Sequence, residues 1–319
     1  MPRVSVIIPA YNAAATIAAT VESVLAQSFR DFEIIAVDDG STDHTREILA
    51  GFGVRVRLIE QHNDGPAAAR NVGARASAGD LLAFLDADDL WRPTMLERAA
   101  AALYSEPAAT LVYFNALIAD SEGVELGTSL VGSGFDHAPS LNELLTQLWP
   151  IMPSAAVVRR SAYERCGGYR DELKGASFRF EDVDFWIRMR EQGPFIYTAE
   201  PLVVWRFAWF PNKLKKLPDY SKALHVFEPF LQEHYGVSAR PLVEARMRAP
   251  RSILATIGLK ALRENDRARA RAAFARAIMV DPYRLKNYLR LMRTWLPYAL
   301  AQRLSGASNR APAKSAPTN

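Results

Sequence analysis

Cysteine is all but absent from this chain, which holds Cys166 alone among 319 residues. A lone thiol excludes an intramolecular disulfide and cannot build a thiolate zinc site or an iron–sulfur cluster. A reducing compartment is the simplest expectation. Long apolar runs are missing as well. The N-terminal MPRVSVIIPAYN is cut short at Pro9 and Asn12, so no export signal is expected. The most apolar late segment, Asn287 to Leu304, is interrupted by Arg290, Arg293, Pro297 and Arg303, short of the roughly 20 uninterrupted apolar residues of a membrane span. The expectation is a soluble, cytoplasmic protein. With 49% hydrophobic and 23% charged residues, the composition also excludes disorder for the bulk of the chain and supplies a full core. This length suits one large domain or two smaller ones.

The charge that is present is unevenly placed. Net charge is +4, yet residues 1–239 carry 22 Lys and Arg against 31 Asp and Glu, and residues 240–319 carry 17 against 4. A basic block of this kind suits the acidic body of its own chain, an anionic inner membrane leaflet, or a protein partner. Arg284 to Arg303 interleaves Leu289, Leu291, Met292, Trp295 and Leu296 with arginines, the composition of an interfacial helix. No nucleic-acid motif accompanies the charge, so no nucleic-acid partner is expected.

Short apolar runs alternate with helix-period segments along the first 120 residues. Strands are expected at Val4 to Pro9, Phe32 to Asp39, Val54 to Gln61, Asp80 to Leu85 and Thr110 to Ala119. Helices are expected at Thr16 to Ala26, from Ser41 or Thr42 to Leu49, from Pro66, and from Pro93 to Tyr104. That alternation predicts an α/β fold with a mostly parallel sheet covered by helices. Ser121 to Pro139 reads as a polar loop, followed by a helix at Leu141 to Trp149, a strand at Ala155 to Arg159, a turn at Gly167-Gly168, a helix at Glu181 to Glu191 and an extended segment at Phe195 to Phe207. Helices at Ile253 to Arg263, Asp266 to Val280 and Tyr283 to Leu291 resemble a tetratricopeptide-like hairpin, although one unit is no array. The expected division is 1–239 as the sheet-bearing domain, 240–304 as a basic helical extension and 305–319 as a disordered tail.

Ligands of such sheets bind beyond the carboxyl ends of the strands, and the polar residues gather there: Pro9-Ala10-Tyr11-Asn12, Asp38-Asp39-Gly40-Ser41 and Asp86-Ala87-Asp88-Asp89. The pieces VSVIIPAYNAAATI, FEIIAVDDGSTDHT, GPAAARNVGARASAGDLLAFLDADD and FEDVDFWIRM, in this order, resemble the inverting family 2 glycosyltransferases of the GT-A fold over about the first 210 residues. The resemblance implies transfer of a sugar from a nucleoside diphosphate sugar, UDP-linked in the first instance, to a saccharide or lipid-linked saccharide in cell-surface polysaccharide synthesis.

Residue by residue, Asp86-Ala87-Asp88 resembles the family's Asp-x-Asp, where Asp88 ligates a divalent metal, Mn2+ or Mg2+, and Asp86 lies nearer the ribose or a metal-bound water. Departing diphosphate carries negative charge that a hard cation held by carboxylate oxygens offsets. A spacing of two on extended chain would turn both carboxylates to one side; the bland alternative is an acidic turn. Asp39 matches the acceptor for the base imide, with Pro9, Tyr11 and Ala87 beside the nucleotide and Asp38 as a structural tie to neighbouring amides. Arg70 either pairs with phosphate or holds an aspartate in place. In Glu181-Asp182 the second acid is the general base that takes the acceptor proton, although acids at a helix start also complement its dipole. Glu181, Trp149, Met152, Trp205 and the Gly167-Gly168-Tyr169 turn fall on the acceptor side, while Trp186 reads as core.

One departure stands out. Family members often carry a histidine two residues after an arginine downstream of the acceptor helix, whereas Arg206-Phe207 is followed by Ala208. Trp205, Trp209 and Lys213 are candidates for the missing contacts. A sugar nucleotidyltransferase would need paired glycines and a basic residue straight after the first strand, and PAYNAAATI has neither. A non-catalytic sugar-nucleotide-binding or scaffold protein is the other alternative; the missing histidine favours it and the retained Asp88 and Asp182 oppose it.

Overall fold

The structure, a computed structural model, describes residues 3–120, 123–132, 134–170, 180–206, 220–280 and 283–296. The expected tail at 305–319, together with Ala208, Trp209 and Lys213, lies outside them. The chain divides into two compact units, Met1–Ala245 and Arg246–Asn319.

In the first unit, strands and helices alternate from the start: β1 (Val4–Ala10), α1 (Ile17–Leu25), β2 (Phe32–Asp38), α2 (Thr45–Ala50), β3 (Arg57–Glu60), α3 (Pro66–Ala76), β4 (Leu81–Phe84), a two-residue β5 (Leu90–Trp91), α4 (Met95–Ser105) and β6 (Leu111–Ala119). Then come β7 (Glu125–Ser129), α5 (Leu141–Thr146), β8 (Ala156–Arg159), α6 (Arg160–Arg165), α7 (Phe180–Glu191), β9 (Phe195–Arg206) and α8 (Tyr220–Tyr235). The sheet order is β3-β2-β1-β4-β8-β6-β9-β5, with β7 pairing on β6. Strands β3, β2, β1 and β4 are parallel, as the alternation predicts. Strand β8 then enters antiparallel to both β4 and β6. The sheet is therefore mixed beyond β4, where helices no longer separate every pair of strands.

Both faces are covered, so β1 is buried along its whole length and apolar except at Ser5, whose hydroxyl donates to Glu33 at 2.7 Å. Val6 and Ile8 pack with Val21 and Val24 of α1 and Leu96 of α4. Ile7, pointing the other way, joins Phe84 of β4 and Phe185 and Trp186 of α7. Gly73 of α3 lets that helix sit on the sheet, because a Cβ there would lie 2.4 Å from Ile7 Cγ2.

Several elements depart from expectation. The stretch read as a polar loop contains β7, a hairpin partner of β6 whose alternation was masked by glycines at 123, 127 and 132. The short β5 is held by β9 rather than by its own propensity. Helix α8, with Pro229 inside it, falls in a stretch for which the sequence sets no expectation.

In the second unit α9 (Arg240–Arg263), which begins in the first unit, leads into α10 (Arg267–Val280) and α11 (Leu285–Arg293). The α9–α10 turn is closed at Asn265, with φ of 60°, and Asp266 caps α10 by accepting from the Arg269 amide at 2.9 Å.

Candidate active site

β1 has β2 and then β3 on one side and β4 on the other, so the strand order reverses between β1 and β4, where open α/β sheets bind ligands. The opening is chemical in origin. Leu85 N donates to Ile7 O at 3.0 Å. The next rung would need an N–H from Pro9, and proline has none. Beyond this point β1 and β4 diverge, one leading into Tyr11 and the other into Asp86–Asp89.

Asp86–Asp89 is a turn, closed by the Asp89 amide donating to Asp86 O at 3.0 Å. The extended geometry expected for Asp86 and Asp88 is thus corrected, because β4 ends at Phe84. The turn still draws carboxylate oxygens of Asp86, Asp88 and Asp89 to within 4.8 Å of one another. Its backbone is clamped from two sides. From α1 the Thr20 hydroxyl shares its one proton between Ala87 O and Asp89 O, at 3.0 and 2.9 Å, and Thr16, just before the helix, donates to Ala87 O at 2.8 Å. From β9, Arg206 Nε donates to Asp88 O, and the Arg206 amide to the Asp89 carboxylate. Ser154 links both acids, accepting from the Asp86 amide at 3.1 Å and donating to Asp89 at 2.5 Å. Burial, with like charge from Asp88 and Asp86, pushes the Asp89 carboxyl well above the usual carboxylate range. Three hard oxygen donors with crowded negative charge fit a divalent cation such as Mg2+ or Mn2+.

Arg70 of α3 is 1% exposed and lies between two acids that are distant in sequence. Its Nη2 is 2.6 Å from Asp86 Oδ1 and its Nη1 is 3.3 Å from Asp182 Oδ1. Burial works against its charge, but Asp86, Tyr169 and Asp182 outweigh that and keep the guanidinium ionised. Of the two roles left open for Arg70, the geometry supports the holding of aspartates. Its plane sits over the Tyr169 ring at 5.2 Å, and that ring stacks on Phe185 at 4.1 Å. Asn71 fixes the Tyr169 backbone, accepting from its amide at 3.0 Å and donating to its carbonyl at 2.8 Å.

Asp182 and Glu181 are both buried in the first turn of α7. The helix is anchored from below by Asp184, which is fully buried and accepts from Arg188 Nε at 2.9 Å. Arg188 in turn donates to the carbonyls of Cys166 and Gly168.

At the other side of the opening, Asp39 accepts from Gln61 Nε2, the Asp64 amide and the Gly65 amide at 2.7, 2.8 and 2.9 Å. The loop-tying role expected of Asp38 therefore falls to Asp39, and Asp38 Oδ1 is buried without a hydrogen-bond partner. Gly40, with φ of +73°, packs on the same loop, where a Cβ would be 2.9 Å from the Asn63 amide. Pro9 and Ala87 are buried, and Tyr11 is 50% exposed.

Two acceptor-side expectations meet a different placement. Trp149 is a core residue, its indole N–H donating to Tyr113 at 3.0 Å and its ring packed edge-on against Phe135 and His137; no face is left for a sugar. Tyr169 is buried beneath Arg70. Trp205 is half-buried against the core, and Trp186 is core as expected. Asp89, Ser154, Thr16 and Thr20 escaped the sequence reading. Of these only Asp89 stands in a motif the sequence offered, the Asp-Ala-Asp-Asp run, where it had no role of its own.

Residues 5–167 match the family model described as glycosyl transferase family 2. EpsE of Bacillus subtilis (strain 168), which carries a glycosyltransferase name, is 34% identical over 199 residues, covering 60% of this chain and 68% of that protein. Chondroitin synthase of Escherichia coli is 31% identical over 198 residues, covering 61% of this chain but only 27% of the synthase. Among solved structures, S. aureus TarS 1-349 in complex with UDP-GlcNAc aligns with a TM-score of 0.54 at 17% identity, covering 97% of this chain and 93% of that one. Mannosyltransferase PcManGT from Pyrobaculum calidifontis, in complex with GDP-Man and Mn2+, aligns with 0.56 at 18%, covering 97% and 88%. These likenesses identify the fold as GT-A, and the match over half of its length means that the chain is a glycosyltransferase belonging to family 2.

Proposed function

We propose that this glycosyltransferase inverts the anomeric centre and depends on a divalent cation, moving a sugar from a nucleoside diphosphate sugar, UDP-linked, to a saccharide or lipid-linked saccharide of the cell surface. The observation that carries the reading is Arg70, whose one guanidinium spans Asp86 and Asp182. It joins the acidic turn after β4 to the first turn of α7, bringing together a donor-side carboxylate and an acceptor-side one.

Asp88, with Asp86, would hold the cation, which when bound supplies positive charge against the leaving diphosphate. Asp182 takes the proton from the acceptor hydroxyl as its oxygen bonds to the anomeric carbon and the diphosphate oxygen departs with its electron pair. Arg70 keeps Asp182 aimed and adds a fixed cation at a water-poor place. Tyr11 offers an exposed ring to the base, and Asp39 would be the acceptor at the base end. TarS holds UDP and PcManGT holds GDP-Man on this fold, so the uridine choice rests on the resemblance of Asp39 to an acceptor for the base imide.

A thermal-shift screen of nucleoside diphosphate sugars with and without manganese identifies the donor, since a ligand of the native state raises its stability. Asp182→Asn should leave that shift nearly intact and lower turnover by roughly 10²- to 10⁴-fold. Unchanged turnover removes Asp182 from the role. Asp88→Asn should weaken donor binding only when metal is present; an equal loss under chelator removes Asp88 as a ligand.

A further inference from the structure

Helix α11 packs Leu291 on the interior of the helical unit but turns its other leucines and its methionine outward. Asn287 and Thr294 are buried, with Asn287 reaching Ala277 O of α10. Leu285, Leu289, Met292 and Trp295 are 70%, 53%, 63% and 62% exposed. At 3.6 residues per turn, Leu285, Leu289 and Met292 fall on one stripe, and it faces outward. Beside it runs a groove of about 530 Å³, walled by Leu259 of α9 with Leu289, Met292 and Leu296 and edged by Lys286, Arg290 and Arg293.

What covers such a stripe is narrowed by the charge around it. Between Tyr283 and Leu296 there are four basic residues and no acidic one. Arg290 is pushed below its ordinary value by burial and then by the like charges of Arg284 and Arg293, so an anion brought here relieves repulsion. A second copy of this chain would meet the stripe with the same cations. The opposite flank carries Tyr288 and Trp295, residue types favoured where an apolar phase meets water. The flexible Leu and Met side chains that wall the groove can adapt to acyl chains of no fixed shape.

We propose that α11 is a membrane-surface helix, lying in the headgroup region of a bilayer that contains anionic lipid. Leu285, Leu289 and Met292 enter the acyl boundary, and Lys286 and Arg290 meet lipid phosphates. The inference is independent of the transferase reading, because its test measures partitioning and not turnover.

The full chain is floated with phosphatidylcholine vesicles and with vesicles that also contain phosphatidylglycerol. It should float with the anionic vesicles at low salt, sink with the neutral ones, and be released as salt rises. Leu289→Ser with Met292→Ser changes exposed positions only, so far-ultraviolet circular dichroism should be unchanged while partitioning falls about tenfold or more. Lys286→Ala should cost about fivefold. Failure of the wild type to float with anionic vesicles at low salt overturns the proposal, as does flotation indifferent to the double substitution. Self-association without flotation, abolished by the same double substitution, would identify a second copy as the cover and equally overturn it.

Discussion

In the sheet-bearing unit, charged side chains go inside in company. Arg70 is enclosed by Asp86, Asp182 and the Tyr169 ring, and Asp184 by Arg188. In the helical unit the interior is small, built on Ala261, Ala270 and Phe274, and Leu285, Leu289 and Met292 remain outside. Burial of a charge costs several kcal/mol and is tolerated where partners with good geometry repay it. An apolar stripe left in water is tolerated where something else removes it. The first unit thus pairs these buried charges within itself, whereas the second leaves an apolar stripe on its surface.

The sharpest way to break this contrast is at Arg70. Arg70→Met leaves Asp86 and Asp182 buried without the cation between them, and should destabilise the sheet-bearing unit by about 3–5 kcal/mol in denaturant titration. A loss below about 1 kcal/mol would mean that water already reaches both acids. A matched pair of substitutions sharpens the contrast further. A Cβ at Gly73 would meet Ile7 at 2.4 Å, and one at Gly258 would meet the Phe274 ring at 2.5 Å. Each alanine should cost about 1–3 kcal/mol from overpacking, less up to about 1 kcal/mol of helix propensity. Hydrogen exchange should report Gly73→Ala across β1 and α3, and Gly258→Ala in α9 and α10 only, if the units open separately. The smallest expected effect is at Glu143, which closes a capping box with Ser140 at the start of α5. The Ser140 amide, then its hydroxyl and His137, pull the Glu143 carboxyl down to about 2. Because the folded value lies below the ordinary one, this contribution is present above the usual carboxylate range and fades as pH falls toward 2. The wild type and Glu143→Gln should therefore converge in stability on acidification, and parallel curves would remove Glu143 from that role.

Much of the first unit was legible in the sequence because its signals are local. Buried parallel strands read as continuous apolar runs, and Gly65-Pro66 and Asp38-Asp39-Gly40 punctuate them. The elements that escaped depend on partners far along the chain. Strand β5 exists because β9 pairs with it, and β7 because β6 does. The same holds at the site. Asp86, Asp88 and Asp182 lie in motifs, but spacing alone suggested an extended pair of acids where the chain makes a turn that adds Asp89. Nothing near Thr20, Ser154 or Arg206 in sequence says that their side chains clamp that turn. For Arg70 the sequence offered two roles, and a contact with Asp182, 112 residues away, supports one.

Pro9 gives the opening at the sheet's edge a permanence that flexible loops would not. Two neighbouring parallel strands tend to zip together as far as their backbones allow, and a thermal fluctuation that shut the mouth would be rewarded by a new bond at each step. Here the first step offers no reward, since the imino nitrogen has no hydrogen to give. The mouth therefore stands open by covalent structure, before any substrate arrives to hold it.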